Sequence, residues 1–498
     1  MIGSLSPARR ARDLAAVAGA AVDVVVVGAG VTGAGVALDA ASRGLSVLLC
    51  ERADLAAGTS RWSSKLVHGG LRYLAHGELG LARESARERA VLMGATAPHL
   101  VRPLPFLVPD IAGRDVTALA ELGGRLGDAV RFSVPGGRRT LPPTRRVGAA
   151  EVGRLVAGVR PGSGGVVFWD GQLVDDARLV VALVRTAAAH GARVLTGATV
   201  TAVDGAEVHV ATGEGPFTVR AGAVVNAAGV WAQRLAPGLR LVPSRGSHLV
   251  VPGARLGSPS AALTVPLPGS RSRYVFALPQ PDGLVYLGLT DEPVEGPVPD
   301  DDATPSDAEV RQLLGTVNRV LAEPLTPADV VGAYAGYRPL VLPASAAPGS
   351  ATADLSRRHL LAWDGPVLSV VGGKLTTYRA MAEEAVDAVV ARLGRGAAKS
   401  VTARLALVGA APRVALDRLA APPRLVARYG TEATVVEALG PALVVAGRPE
   451  TVGELRFAVR HEGARTVADL LDRRTRIGLV PADRERAVPV AEQVLAEG

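Results

Sequence analysis

Residues Val24–Val27 form a wholly apolar run, followed by glycine at positions 28, 30 and 33 and then by a helix-forming stretch from Val36 to Arg43. This pattern restricts the fold more than any other in the chain. An apolar strand that feeds Gly28-x-Gly30-x-x-Gly33 and then a helix opens a βαβ unit that binds a dinucleotide. The first glycine makes the turn, the second lets backbone approach a pyrophosphate, and the third lets helix and strand pack closely. The helix start presents unpaired N–H groups and the positive end of its dipole to the anion. Leu45–Cys50 supplies a second buried parallel strand, while Ala37 and Gly44 continue the small-residue pattern. Glu51, at the end of that strand, is placed to bind ribose hydroxyls. Its charge opposes a 2′-phosphate, so the ligand is FAD or NAD and not NADP.

Downstream segments favour FAD. No second GxGxxG offers a separate nicotinamide site. Val224-Val225-Asn226-Ala227-Ala228-Gly229 resembles the segment that closes over the adenine half of FAD in glutathione-reductase-like flavoproteins. Gly372-Gly373-Lys374-Leu375-Thr376-Thr377 follows an apolar run and precedes a helical stretch, Ala380–Leu393. Its helix start is suited to stabilise a reduced, anionic flavin at O2. It is not a P-loop, because the spacing fails and Leu follows the lysine.

With 498 residues, two or three domains are expected, and 48% hydrophobic against 20% charged residues describes a folded chain. The nucleotide domain is discontinuous, at 20–110, 165–240 and 330–395. Segments 111–164 (Gly/Pro/Arg-rich) and 241–329 (strand-like alternation) form a substrate domain, with 293–307 as a surface loop. Residues 396–498 form a helical C-terminal domain. The fold class is α/β, a glutathione-reductase-like or D-amino-acid-oxidase-like FAD-binding Rossmann domain with an antiparallel-sheet substrate domain. The single cysteine, Cys50, makes no internal disulfide and excludes a Cys-x-x-Cys redox centre. Arg9, Arg10 and Arg12 before Leu14–Val22 mimic a secretory leader, but any cut there would damage the fingerprint, so an N-terminal helix is expected. No apolar stretch reaches the ~20 residues of a membrane span. No metal site is expected.

The run Gly58-Thr-Ser-Arg-Trp-Ser-Ser-Lys-Leu-Val-His-Gly-Gly-Leu-Arg-Tyr-Leu74 closely resembles the signature of FAD-dependent glycerol-3-phosphate dehydrogenases. So do Ala97-Pro98-His99-Leu100, Gly246-Ser247-His248-Leu249-Val250-Val251, Gly336-Tyr337-Arg338-Pro339-Leu340 and Gly372–Arg379, in family order. Gly288-Leu289-Thr290-Asp291 departs from the pattern, many relatives having Thr at its second position. The resemblance implies oxidation of sn-glycerol 3-phosphate to dihydroxyacetone phosphate, with electrons passing from FAD to membrane quinone.

That reaction needs a base for the hydroxyl proton, cations for the phosphate and a shielded site. Arg338, Arg72 and Lys374 are the candidate cations, with Tyr73 and Thr290 as further substrate contacts. An isolated arginine is more often a surface ion pair, but each of these sits in a glycine-rich or Pro-flanked loop motif. His248 and His68 compete for the base, since a histidine pKa lies near working pH; we favour His248, and His68 would then abut the flavin. The cofactor set comprises Gly28, Gly30, Val31, Thr32 and Gly33 at the turn and Glu51 with Arg52 after it. Thr59, Ser60, Ser64 and Lys65 follow along the flavin, then Val200, Ala228 and Gly229, and last Gly373, Lys374, Leu375 and Thr376.

The net charge of +8 favours an anionic partner. Five arginines (Arg131, Arg138, Arg139, Arg145, Arg146) lie between Asp128 and Glu151 with no acid among them, after Leu119, Leu122, Leu126 and Val130 at helical spacing. This suits peripheral attachment to an anionic membrane on its cytoplasmic side, although a solvated basic loop beside a core helix fits equally. A homodimer is compatible with the sequence. The rival readings are a glycerol-3-phosphate oxidase using oxygen, an amine or amino-acid oxidase of the same fold, and an FAD-containing nucleic-acid binder. The last lacks basic stretches with interleaved aromatics, so no nucleic-acid partner is expected.

Overall fold

The computed structural model describes residues 1–70, 77–270, 273–341, 358–394 and 396–497. Two sheets organise the first four-fifths of the chain. The first has the order His359–Asp364, Val367–Gly372, Phe217–Asn226, Ala21–Val27, Val47–Glu51, Arg193–Thr196. Its central pairs are parallel, with Val25 opposite both Val224 and Leu48. Parallel strands must be covered on both faces, which is why they read as continuous valine and leucine. On one face Val24 and Val26 meet helices Val31–Ser42, Asp176–Ala189 and Tyr378–Leu393; on the other Val25 and Val27 meet the meander Ala198–Asp204, Glu207–Thr212 and Phe217–Asn226. Gly35 lets the first helix approach the last of these: a Cβ there would lie 2.8 Å from the Tyr378 ring.

The second sheet is antiparallel except where Val101–Pro109 runs parallel to Ala262–Pro266. Its longest strand, Leu241–Pro252, pairs with Gly332–Val341 along its length and with Leu284–Gly288 over its second half. Strands Val101–Pro109, Gly165–Leu173 and Gly332–Val341 all belong here, although the sequence placed them with the nucleotide layer. The expected boundaries followed the change to Gly/Pro/Arg-rich composition. Strand pairing runs past that change: Val101 pairs with Leu173 and Pro109 with Gly165, bracketing residues 111–164.

Within that bracket, Arg114–Phe132 is one continuous helix despite Gly123 and Gly124. Gly124 is buried against Thr144, where a Cβ would come within 2.7 Å, so tertiary packing offsets its poor propensity. Leu119, Leu122, Leu126 and Phe132 are left exposed by 46, 57, 50 and 41%. The arginines behind this ridge are not the uniform patch the sequence suggested. Arg131 is buried and paired with Asp128, Arg145 with Glu151, and Arg146 with Glu121, whereas Arg138 and Arg139 are exposed, Arg138 over the Phe132 ring. The acids come from outside the acid-free stretch, so local counting could not see them.

The N-terminal helix Pro7–Val17, capped by Ser6, enters the first strand, with Arg9 donating to the carbonyls of Ala188 and Ala192. The C-terminal residues form short helices, Val452–His461 and Pro481–Ala496 around Leu455, Leu470, Leu471 and Ile477, and Pro423–Tyr429 against Phe457. No helix among the described residues is long and apolar enough to cross a membrane.

Candidate active site

The three fingerprint glycines differ in what demands them. Gly28 has a positive φ of 100° and donates to the Cys50 carbonyl. A Cβ on Gly33 would fall 1.8 Å from the Gly28 oxygen, so the turn itself excludes any side chain. Gly30 is different. Its φ of −75° suits any residue, and a Cβ would meet only the Ser60 hydroxyl, at 3.0 Å. The fold thus constrains this position less than Gly28 or Gly33, and leaves the start of helix Val31–Ser42 open to a close approach. Glu51 accepts from the backbone of Ala29 (2.8 Å) and Ala53 (2.9 Å), tying its carboxylate to the turn. Burial raises its pKa while those two bonds oppose the rise. These residues fit a dinucleotide.

The segment after Glu51 runs along the first sheet toward the second. Arg52 stacks over Trp231 and pairs with Asp300 of the 293–307 loop, which therefore lies against the site edge. Ser60 accepts from the Val31 backbone at the helix start, and Thr59 donates to the Tyr337 carbonyl at 2.6 Å. Lys65 turns inward. Its ammonium is buried against Asp176 at 2.9 Å and also donates to the Arg61 carbonyl, so its charge serves the segment's own anchoring. Ala227 adjoins Gly28, placing Ala228 and Gly229 beside the turn, and Thr32 lies in the first turn of the helix. Val200 sits in the apolar cluster under the meander with Val208 and Val210.

His248 lies at the middle of strand Leu241–Pro252, opposite Tyr334 and Gly288. Its ring stacks on Tyr334 (centroids 4.7 Å, 10° apart), and Nε2 is 2.9 Å from Ser64 Oγ. Gly288 makes the room, since a Cβ there would be 2.1 Å from the imidazole. Nδ1 is buried with no hydrogen-bond partner among the described residues. Burial, then the Lys65 and Arg338 charges, hold the pKa well below the ordinary histidine value. His248 is thus a neutral imidazole over a wider pH range than the near-neutral value expected from sequence.

Four positions earlier on the same strand, Ser244 faces Arg338. The Arg338 guanidinium lies over Gly246, donating to Ser244 Oγ (3.0 Å), Asp291 (3.1 Å) and the Thr290 carbonyl (3.0 Å). Thr290 and Ser247 both donate to Glu309 at 2.7 Å, and Arg245 pairs with it. Burial would raise the Glu309 pKa, but bonds from the Ser306 backbone, Thr290, Ser247 and Arg245 prevail and bring it to about 2. Glu309, Tyr334 and Asp176 were not among the sequence candidates, and Asp291 entered only as the end of the Gly288–Asp291 motif. Only Glu309 carried a local signal, the Ser306-x-x-Glu309 capping box that starts helix Asp307–Asn318.

The third part of the site is the turn after strand Val367–Gly372. Gly372 and Gly373 have φ of 79° and 72°, and Leu375–Thr377 forms a short helical turn leading into Tyr378–Leu393. Thr376 Oγ1 accepts from the His68 backbone at 3.2 Å, which joins the two family motifs. Lys374 donates to Ser85 at 3.2 Å on helix Leu79–Val91. Arg72 and Tyr73 lie outside the described residues.

Residues 23–379 match the family model described as FAD dependent oxidoreductase, and residues 396–497 that of the C-terminal domain of alpha-glycerophosphate oxidase. Glycerol-3-phosphate dehydrogenase 1 of Mycobacterium tuberculosis is 50% identical, over 99% of this chain and 98% of that protein. The chain belongs to the FAD-dependent glycerol-3-phosphate dehydrogenase family. A Pseudomonas aeruginosa member is 37% identical over 92% of each chain. The glycerol-3-phosphate dehydrogenase of Bacillus halodurans, solved with FAD, superposes with a TM-score of 0.74 at 26% identity, covering 100% of this chain and 95% of that one. The family's α/β oxidoreductase fold and helical C-terminal domain are those of this chain.

Proposed function

We propose that the protein oxidises sn-glycerol 3-phosphate to dihydroxyacetone phosphate with FAD, held by the Gly28–Gly33 turn, Glu51 and the 59–65 segment. The observation that carries the reading is the pairing of a neutral buried imidazole with an arginine clamp on adjoining strands, His248 with Tyr334 and Arg338 with Ser244. Bound FAD supplies the two-electron acceptor for the hydride that leaves C2. His248, uncharged and held between Ser64 and the Tyr334 ring, is the base that takes the C2 hydroxyl proton. Arg338, fixed by Ser244, Asp291 and Thr290, binds the phosphate through its planar fork, with Lys374 adding charge. Glycerol, lacking the phosphate, is expected to be a very poor substrate.

Membrane quinone is the proposed final acceptor. The exposed ridge Leu119, Leu122, Leu126 and Phe132, with Arg138 and Arg139 beside it, fits shallow insertion into an anionic leaflet. Binding to vesicles of anionic lipid should fall as salt rises, and quinone reduction should be much faster than peroxide formation. Leu122→Ser with Leu126→Ser should release the protein while sparing activity with a soluble dye. The oxidase-type C-terminal match favours oxygen as the second reading. Stoichiometric peroxide from lipid-free enzyme, with no response to quinone, would select it.

A further inference from the structure

The segment from Glu51 to Lys65 carries much of the proposed cofactor contact, yet most of it is neither helix nor strand. A loop of this kind must be ordered before it can grip a ligand, and the cost weakens binding unless the loop is fixed in advance. Beyond the contacts of Thr59, Ser60 and Lys65 already described, part of the fixing comes from the C-terminal domain. Asp54, buried just beyond Glu51, takes both Nη atoms of Arg474 (2.7 and 2.8 Å) and Nε of Arg473 (2.7 Å). Arg474 is wholly buried and is itself held by the Glu462 carbonyl, while Arg473 is held by Asp469. The two arginines end a wide turn, Asp469–Arg474, in which the Thr475 backbone donates to Leu470 five residues back. Such turns often mark functional positions. Ten residues along the segment, Arg61 donates to the Asp472 carbonyl of the same turn (3.3 Å). At its end Lys65 pairs with Asp176, whose neighbour Asp175 is held by Arg428 of the C-terminal domain (3.1 Å).

We propose that the C-terminal helical domain is an FAD-retention clamp, with Arg474 and Arg473 as positioning residues that hold segment 51–65 in its cofactor-binding shape through Asp54. The proposal rests on the placement of FAD along that segment. Buried ion pairs are suited to such a role, because they contribute little net stability against apolar substitutes but fix a single geometry and are costly to break on one side.

The test compares FAD affinity with fold stability. Arg474→Gln, Asp54→Asn and the milder Arg473→Gln are purified, stripped of flavin and retitrated with FAD, and the melting points of apo and FAD-loaded forms are recorded. A clamp predicts an FAD dissociation constant raised at least 10-fold in the first two variants and about 3-fold in Arg473→Gln. The gap between apo and loaded melting points should narrow, because that gap reports ligand affinity, and added FAD should restore turnover. Wild-type FAD affinity with both melting points lowered in parallel would make the contacts merely structural and overturn the proposal. If Arg474→Gln does not fold, an unchanged dissociation constant in Arg473→Gln overturns it equally. Gly30→Val is the control for the underlying placement. Flavin retained by that variant sinks the placement itself, whereas colourless Gly30→Val beside tight-binding Arg474→Gln sinks the clamp alone.

Discussion

The proposed cofactor end and the proposed substrate end of the site are built by opposite means. At the cofactor end the chemistry is main chain: a positive-φ glycine, a helix start, and backbone N–H groups that hold Glu51. At the substrate end it is side chain, with His248, Arg338 and Glu309 brought together from two strands and a helix and each held by buried neighbours. The first kind of site does not tolerate the addition of a Cβ at its turn. The second tolerates neither loss of a charge nor loss of the group that aims it. Catalytic trouble in this protein should therefore divide into flavin loss and misdirected chemistry, with little overlap.

The sharpest test of the division is Gly30→Val. Because a Cβ at Gly30 meets only the Ser60 hydroxyl, the chain should fold, yet purified protein should be colourless. A folded variant that keeps its full flavin absorbance would break the contrast. Next in size is Arg338→Ala, which should cost on the order of 2–5 kcal/mol in kcat/KM for glycerol 3-phosphate while leaving flavin content unchanged. Equal loss with glycerol as substrate would show that the arginine does not hold phosphate. His248→Ala should slow anaerobic flavin reduction by roughly 100-fold or more, with a smaller effect on substrate binding. If His68→Ala does this and His248→Ala does not, the two roles are exchanged.

A smaller effect, about 10-fold in kcat/KM, is expected for Glu309→Gln, which touches neither partner of the reaction and acts through Ser247 and Thr290. This variant also gives a pH signature. The Glu309 carboxyl sits at about 2 in the fold, so its contribution to stability is present above the ordinary carboxylate range and is lost as pH falls toward 2. His248 acts in the same direction: neutral when buried, it is protonated more readily in the unfolded chain, so stability declines as pH falls below the ordinary histidine value. Acid unfolding curves of Glu309→Gln should shrink the lower of these two windows, to which the arginine-paired Asp54, Glu454 and Glu462 also contribute, and keep the upper.

The same contrast explains what could be read from sequence. The fingerprint turn is contiguous, and each glycine's role follows from its place between a strand and a helix, so residues 28–51 were legible with no partner known. Arg338 and His248 stood out only because each lies in a family motif; nothing local said that Ser244, Asp291 or Tyr334 would surround them. Those contacts depend on register across Leu241–Pro252 and Gly332–Val341, whose strands are separated by some eighty residues. The ion pairs of the basic segment were hidden for a related reason, since Glu121, Asp128 and Glu151, which pair with three of its arginines, lie outside the segment itself.

Everything proposed for the substrate end requires that this site take hydride from a phosphorylated polyol. The decisive experiment is anaerobic mixing of the purified yellow enzyme with sn-glycerol 3-phosphate, glycerol and a panel of amino acids, read as bleaching of the flavin band. Glycerol 3-phosphate should bleach it rapidly and completely, amino acids not at all, and glycerol at most by a trace. Bleaching by an amino acid, with glycerol 3-phosphate inert, would contradict the assignment.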